Sequence, residues 1–549
     1  MKASDLFVRC LEVEGVARIF GVPGEENADV MMSLLDSPIE FVICRHEQGA
    51  AFMADLHGRM TGRPGVCLGT LGPGATNLAT GVANANMENS PMVVITGQGA
   101  TTRLHKESHQ IMNAVDMFQP ITKWASGIWD AGNIPEVVRK AFKLATTEKP
   151  GAVHIELPED VAKQDVDECP IVPGLKVRRP VADEKSITAA LACIAAAERP
   201  IVLAGNGCVR TRVSKQLNRF IDTTGIYAAM TFMGKGALSD RHPQSLYAAG
   251  LGARDHVAGA FEQADLVIAI GYDLVEWHPS RWNTGSEKQI VHLDFEPAEV
   301  DTKYRPAVEV VGDLAGSLWE INERLGPEHH ADPGPLAALR ETLHFELERE
   351  LAEDAGFPMK PQRILADLRR ELADDDVLIS DVGAHKMWVA RHYPTYEPNS
   401  CIISNGFCSM AIALPGAIGA ALVHPERNVV GLCGDGGFLM NVQELATAAQ
   451  YKIPIVMLVW EDSSYGLIEW KQLAQFGRSS HVHFENPNLL ALAQSFGCHA
   501  QRVEAPDELR AALSAAFAER ERPSVIVVPV DYTENMKLTE RLGEIVCPS

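Results

Sequence analysis

The stretch Asn428-Val429-Val430-Gly431-Leu432-Cys433-Gly434-Asp435-Gly436-Gly437, followed by Ile455-Val456-Met457-Leu458-Val459-Trp460-Glu461-Asp462, decides the fold class. Each half is a short apolar, β-branched run that stops at an aspartate. Such runs suit parallel strands covered on both faces. The aspartates lie 462 − 435 = 27 residues apart, about the length of one strand-helix-strand crossover. Both carboxylates are then expected at the carboxyl ends of neighbouring parallel strands, where open α/β sheets bind ligands. Gly436 and Gly437 let the backbone approach a phosphate, with N–H groups of a helix beginning near Val442 aimed at it. A hard divalent ion would take the two carboxylates and a loop carbonyl at Ser464. The alternative is that Asp435 caps a helix and Asp462 begins a turn, and spacing alone does not separate the two.

The same pattern of strand, Gly-rich turn and helix recurs outward from this stretch. Strand-like runs fall at Phe41–Cys44, Val66–Leu71, Met92–Thr96, Ile201–Ala204, Leu266–Ile270 and Ile290–Leu293. Alternation of strands and helices implies doubly wound α/β domains. The chain's 549 residues exceed a single hydrophobic core. Linker-like segments at Pro170–Asp183 and Gly326–Pro335, the second followed by a charged helix over Leu336–Ala355, divide it into 1–170, 185–330 and 360–549. The expectation is three parallel-sheet α/β domains.

Apolar residues make up 46% and charged residues 22%, as in a water-soluble globular chain. The net charge of −23 argues against a nucleic-acid surface. Eleven dispersed cysteines with no C-x-x-C pair suit a reducing cytoplasm better than a disulfide framework or zinc site. The N-terminus has no long apolar run and reads as an N-cap at Ser4 with an amphipathic helix after it. The apolar stretch Ala411–Val423, broken by Pro415 and Gly416, is too short to span a bilayer. A cytoplasmic protein with no membrane partner is expected.

In the first domain, Glu47 lies between the strand Glu40–Cys44 and an apolar helix Ala50–Met60. A glutamate in a first turn is favourable with the helix dipole, and it can also be a catalytic acid. Gly72-Pro73-Gly74-Ala75-Thr76-Asn77 forms a tight turn that opens the next helix. That turn suits a ligand at the sheet edge or an ordinary loop.

Taken together, "RHEQGAAFMAD" (45–55), "GPGATNLATG" (72–81), "CGDGGF" (433–438) and "EDSSYG" (461–466) resemble thiamine-diphosphate enzymes of the acetohydroxyacid/acetolactate synthase family. "SDVGAHKMW" (380–388), "ISNG" (403–406), "IGYD" (270–273) and "VPVDY" (528–532) look more like its catabolic, FAD-independent branch. The likeness spans essentially the whole chain. It implies a pyrimidine-binding first domain, a central Rossmann-like domain and a diphosphate-binding third domain.

The resemblance further implies that Glu47 hydrogen-bonds the cofactor's aminopyrimidine and that Met410 wedges the cofactor into a bent shape. Val382, Gly383 and His385 would touch the diphosphate, as would Gly434, Gly436, Gly437, Tyr465 and Gly466, with Gly72 and Asn77 on the pyrimidine side. Asp435, Asp462 and Ser464 would hold Mg²⁺. Gln110 would line the reaction pocket, the alternative being a solvated loop glutamine, and Lys123 stands either near the pocket entrance or on the open surface. The implied reaction decarboxylates pyruvate and joins the two-carbon unit to a second pyruvate, giving 2-acetolactate. The first and third domains would meet the cofactor from different subunits, so a homodimer or homotetramer is implied.

Three positions depart from the biosynthetic pattern. Asp462 replaces the Asn of many relatives, and Lys471 stands where a pocket tryptophan would favour 2-oxobutyrate. Glu25 stands where a glycine lies near the reacting carbon, and it either acts as an acid or faces solvent. Gly205-Asn206-Gly207 starts a dinucleotide loop, but Arg210 breaks the G-x-G-x-x-G pattern, and no FAD is expected. The alternatives are another decarboxylase or aldehyde carboligase on the same cofactor, or a noncatalytic scaffold.

Overall fold

A computed structural model describes the chain except residues 168–170, 172–173, 175–178, 211, 251–255, 333, 351–354 and 536–549. Three six-stranded sheets carry the fold, and every strand pairing within them is parallel. In spatial order the first sheet is Glu40–Ile43, Arg18–Gly21, Gly65–Gly69, Met92–Gln98, Ala152–Pro158 and Trp124–Gly127. The third is Cys401–Ile403, Val377–Ser380, Val429–Gly434, Val456–Glu461, Ser524–Pro529 and His499–Arg502, which repeats the order of the first. The second is Val308–Val311, Gln289–Asp294, Leu266–Ile270, Pro200–Ala204, Tyr227–Met230 and Ser245–Ala248. Read backwards, that is the Rossmann strand order.

The strand order reverses between Arg18–Gly21 and Gly65–Gly69 in the first sheet, and between Val377–Ser380 and Val429–Gly434 in the third. Crevices outside the carboxyl ends of such strands are where open α/β sheets bind ligands. The segments that follow these strands carry Glu25 and Gly72 in the first sheet, and His385 and Asp435, both in the first turns of helices, in the third.

The first and third sheets are joined back to back by two helices, Glu47–Thr61 and Ala413–Val423. These bring Phe52, Met53 and Leu56 into one core with Leu414, Ala417 and Ile418. Ala413–Val423 is apolar on every face because its residues from Ala413 to Ala421 are buried. Pro415 is tolerated there because it lies in the first turn, whose N–H groups have no helical partner. The helices approach closely at Gly419, where a Cβ would lie 2.5 Å from the Met53 carbonyl oxygen. Gly419→Val is expected to lower the thermal midpoint, with a stability loss of about 1–3 kcal/mol for overpacking. Calorimetry of the variant checks this.

Local boundaries differ from the sequence reading in three places. The first helix starts at Ala3 with Lys2 at its N-cap, and Ser4 is buried inside it rather than capping it. Asp435 itself opens a helix, Asp435–Met440, and a second runs Glu444–Gln450, instead of one helix from Val442. Gly436 and Gly437 are poor helix formers, but they are the residues that fit: Cβ atoms there would meet the Tyr465 ring and the Asp381 carboxyl, both at 2.9 Å. The charged helix begins at Gly334, inside the expected linker. Of the other linker, Pro170 and Pro173 lie outside the described residues. No helix among the described residues is long and apolar enough to cross a membrane.

Candidate functional site

The sequence-derived residues fall into two groups, one at the carboxyl edge of each outer sheet. In the third domain, Asp435 is fully buried. Its Oδ2 accepts the N–H groups of Asp462 (3.1 Å) and Ser463 (2.7 Å) and the Asn486 amide (2.7 Å). Among the described residues its Oδ1 accepts only the Gly436 N–H, at 2.8 Å. Oδ2 is thus saturated, and Oδ1 is the oxygen with capacity for a cation. Asp462 lies beside it, and the carboxyl reaches the first residue of the helix Gly466–Phe476, where a Cβ on Gly466 would be 3.1 Å from its Oδ2. Burial, then the charge of Asp435, pushes the Asp462 carboxyl up to about 7. Two carboxylates in a dry crevice repel one another until a cation joins them.

That shift has a sign. A carboxyl raised from 3.8 to about 7 makes the folded, metal-free chain bind more protons than the unfolded one across that window. Its contribution therefore lowers stability as pH rises from about 4 to about 7. A divalent ion needs the carboxylate and displaces the proton. Metal binding is expected to tighten with rising pH up to about 7 and to release protons, which calorimetry in buffers of different ionisation enthalpy measures.

Ser464 turns its hydroxyl to the Glu469 carboxylate at 2.9 Å, so only its main chain faces a ligand role. Tyr465 stacks obliquely on Phe484 at 5.0 Å. His385 is buried, and burial lowers its pKa to about 4, which keeps the imidazole neutral. Its Nε2 has no hydrogen-bond partner among the described residues. The ring lies over Gly383, where a Cβ would be 2.6 Å from Cε1, and beside Gly434, where a Cβ would be 3.7 Å from Nδ1. Asn486 Oδ1 is likewise buried without a partner among the described residues. These orphaned polar atoms, two hard carboxylates and the glycine-lined turn fit a metal-bound diphosphate in the crevice.

Met410 is half-buried on a loop with left-handed backbone at Cys408 (φ 57°) and Ala411 (φ 74°). Asp381 holds that loop. Its buried carboxyl accepts the Ala411 N–H at 2.8 and 3.0 Å and the Val382 N–H at 2.6 Å. Burial raises Asp381 to about 7 against these backbone donors.

In the first domain, Glu47 is the first residue of its helix and 8% exposed. Its Oε2 accepts the Asn77 amide at 2.9 Å, and a Cβ on Gly74 would lie 3.4 Å from Oε1. Glu47, Asn77 and the glycine turn are therefore one unit. Gly72 has φ 53°, and a Cβ there would be 2.8 Å from the Gln110 carbonyl. Gln110 itself is exposed with φ 56°. Glu25 is exposed in the one-turn helix Glu25–Asn27. Its neighbour Glu26 accepts the Thr70 hydroxyl at 2.8 Å, which pins this loop to the glycine turn.

Lys123 is not at a pocket entrance. It precedes the strand Trp124–Gly127, at the amino edge of the sheet, and its ammonium binds the Thr147 and Lys149 carbonyls at 2.6 and 2.7 Å. A lysine beside the last carbonyls of the helix Ile134–Thr146 satisfies acceptors that the helix leaves open. Lys471 lies in the helix Gly466–Phe476.

Sequence reasoning missed Asp381, Asn486 and Glu444. Asp381 carried a usable signal, since it ends its strand as Asp435 and Asp462 end theirs. Asn486 sits in an irregular loop and carried none.

Three family models match the chain: the N-terminal TPP binding domain of thiamine pyrophosphate enzymes over residues 1–117, their central domain over 187–321, and their C-terminal TPP binding domain over 381–528. An acetolactate synthase of Bacillus subtilis is 36% identical, covering 99% of this chain and 97% of the relative. The catabolic acetolactate synthase of Raoultella terrigena is 35% identical over 98% and 97% of the two chains. A probable acetolactate synthase large subunit of Methanocaldococcus jannaschii is 35% identical over 100% and 95%. With both carboxylate groups at the sheet edges where those TPP binding domains match, the chain belongs to the acetolactate synthase family of thiamine pyrophosphate enzymes.

Proposed function

We propose that this enzyme condenses two molecules of pyruvate, with loss of CO₂, to 2-acetolactate, using thiamine diphosphate and Mg²⁺. The observation that carries the reading is the pairing of a dry Glu47 carboxyl, braced by Asn77, with the Asp435–Asp462 pair on the third sheet. When bound, thiamine diphosphate supplies a nucleophilic carbon and the electron sink that decarboxylation needs.

The chain's own residues do the rest. Asp435 and Asp462 hold the metal, with the Ser464 main chain beside them. His385, Val382, Gly383, Gly434, Gly436, Gly437, Tyr465 and Gly466 enclose the diphosphate. Glu47 exchanges a hydrogen bond, and with it a proton, with the aminopyrimidine in a water-poor pocket. Gly72 and Asn77 shape that pocket, and Met410 would pack against the cofactor. Gln110 and Glu25 stand at the rim, where an acceptor would arrive.

The domains are read as 1–170, 185–330 and 360–549, and the assembly as a homodimer or homotetramer in the cytoplasm. Different subunits then supply the Glu47 and Asp435 groups of each site. Cys44, Cys67, Cys193, Cys208, Cys401, Cys408, Cys433 and Cys498 are free thiols, in keeping with a reducing compartment.

FAD is not part of this reading. In the central sheet the N–H groups a dinucleotide would need are already satisfied: those of Gly205 and Gly207 bind the Ile270 and Gly271 carbonyls at 3.0 and 2.8 Å. The Asn206 N–H binds the buried Glu276 carboxyl at 2.9 Å, which burial raises to about 8.

The test is the product formed from pyruvate with Mg²⁺ and thiamine diphosphate. Acetolactate, converted to acetoin by acid, supports the proposal. Acetaldehyde as the sole product would move the enzyme to the decarboxylases.

A further inference from the structure

The helix Glu47–Thr61 begins with an unusual cap. In an ordinary capping box the third helical residue is Glu or Gln, and its side chain reaches back to the N-cap N–H. Here the N-cap is His46 and the third residue is Gly49, which has no side chain. The missing carboxylate comes from the third domain. Glu444 is fully buried, and its Oε1 accepts the His46 N–H at 2.9 Å and the Arg45 N–H at 3.1 Å. A Cβ on Gly49 would lie 2.7 Å from the Glu444 carboxyl carbon, so the glutamate fills the space the glycine leaves. The Thr447 hydroxyl holds its other oxygen at 2.7 Å.

The same face carries further ties. The Tyr451 hydroxyl accepts the Ile43 N–H at 2.8 Å, and Gln450 accepts from the Arg45 guanidinium at 2.6 Å. The two residues that set the direction of Glu47 are thus fixed by a segment that starts nine residues earlier at Asp435 (444 − 435 = 9).

We infer that Glu444 is a positioning residue, a capping-box carboxylate supplied by the third domain that sets the Glu47 carboxyl and links it to the Asp435 turn. The inference rests on the assignment of Glu47 made above. In the proposed dimer, Glu47 and Asp435 of one chain serve different sites, and Glu444 connects those sites through the chain's interior.

The test uses the full-length enzyme with thiamine diphosphate and Mg²⁺, as wild type, Glu444→Ala, Glu444→Gln, Gly49→Ala and Glu47→Gln. Three quantities are read: exchange of the cofactor's thiazolium C2 proton in D₂O by quenched NMR, cofactor affinity by fluorescence titration, and the thermal midpoint. Glu444→Ala is expected to slow exchange about tenfold to a hundredfold, the usual cost of losing a supporting partner, with affinity changed far less. Glu444→Gln keeps one oxygen for the His46 N–H and is expected to recover part of the rate. Gly49→Ala pushes Glu444 aside and is expected to resemble Glu444→Ala.

Wild-type exchange in folded Glu444→Ala overturns the inference. So does equal loss in the Ala and Gln variants. Should Glu444→Ala not fold, Glu444→Gln and Gly49→Ala decide: wild-type exchange in both overturns it. Wild-type exchange in Glu47→Gln would instead remove the Glu47 assignment beneath it.

Discussion

Replacing Glu47 by Gln is expected to lower kcat by about a hundredfold to ten-thousandfold, the range for losing a positioned proton-transfer group. The substitution is close to isosteric. Its amide oxygen still accepts from Asn77, which now approaches at 2.9 Å, so the turn at Gly72–Asn77 keeps its shape. What disappears is a carboxyl group able to share a proton with the aminopyrimidine. Affinity for thiamine diphosphate is therefore expected to change by only a few-fold, because the residues proposed to hold the metal and diphosphate lie on the third domain. Steady-state kinetics together with a cofactor titration separate the two effects. A variant with kcat within threefold of wild type would remove Glu47 from the chemistry.

Removing the metal side of the site is expected to do the opposite. Chelation of the divalent ion should abolish cofactor binding and activity together, and Mg²⁺ should restore both. Asp435→Ala goes further. It deletes the cation's oxygen and leaves the Asp462 and Ser463 N–H groups and the Asn486 amide without their acceptor. Each buried donor left unpaired costs about 1–3 kcal/mol, so the turn is expected to loosen as well as lose its ion. Cofactor affinity should fall by more than a hundredfold, a loss of at least about 2.7 kcal/mol at 1.36 kcal/mol per tenfold. Asp462→Asn keeps an oxygen ligand and relieves the repulsion that raises this carboxyl to about 7, so its effect should be much smaller. Calorimetric titration of thiamine diphosphate with saturating Mg²⁺ measures all three proteins. Equal losses in the two variants would show that Asp435 has no special place.

Much of this was legible in the sequence because parallel sheets write themselves plainly. Val429–Gly434, Val456–Glu461 and Leu266–Ile270 are apolar on both faces, so each stands out as a run ending at a turn. The aspartate spacing placed both carboxylates at neighbouring strand ends because one crossover has a nearly fixed length, and the Glu47 and Gly72–Asn77 segments were needed to read a ligand there.

What the sequence hid is of two kinds. Helix starts were misplaced where tertiary contacts outweigh local preference. Gly436 and Gly437 argue against a helix, but Asp381 and Tyr465 leave room for nothing larger. Ser4 looks like a cap, but the helix begins before it and buries it. The second kind is partnership over long chain distances. Lys123 reads as a pocket residue until the Thr147 and Lys149 carbonyls are seen to hold it. Glu444 reads as an ordinary helix glutamate until it is found completing the cap of a helix nearly four hundred residues away (444 − 46 = 398). No local pattern records such a contact.

The most direct measurement is a crystal structure of the enzyme with thiamine diphosphate and Mg²⁺. The account predicts a cation held by Asp435 Oδ1 and Asp462, the diphosphate beside His385 and Gly436, and an aminopyrimidine hydrogen-bonded to a second subunit's copy of the Glu47 carboxyl. A cofactor bound elsewhere, or one whose pyrimidine meets no glutamate, would contradict it.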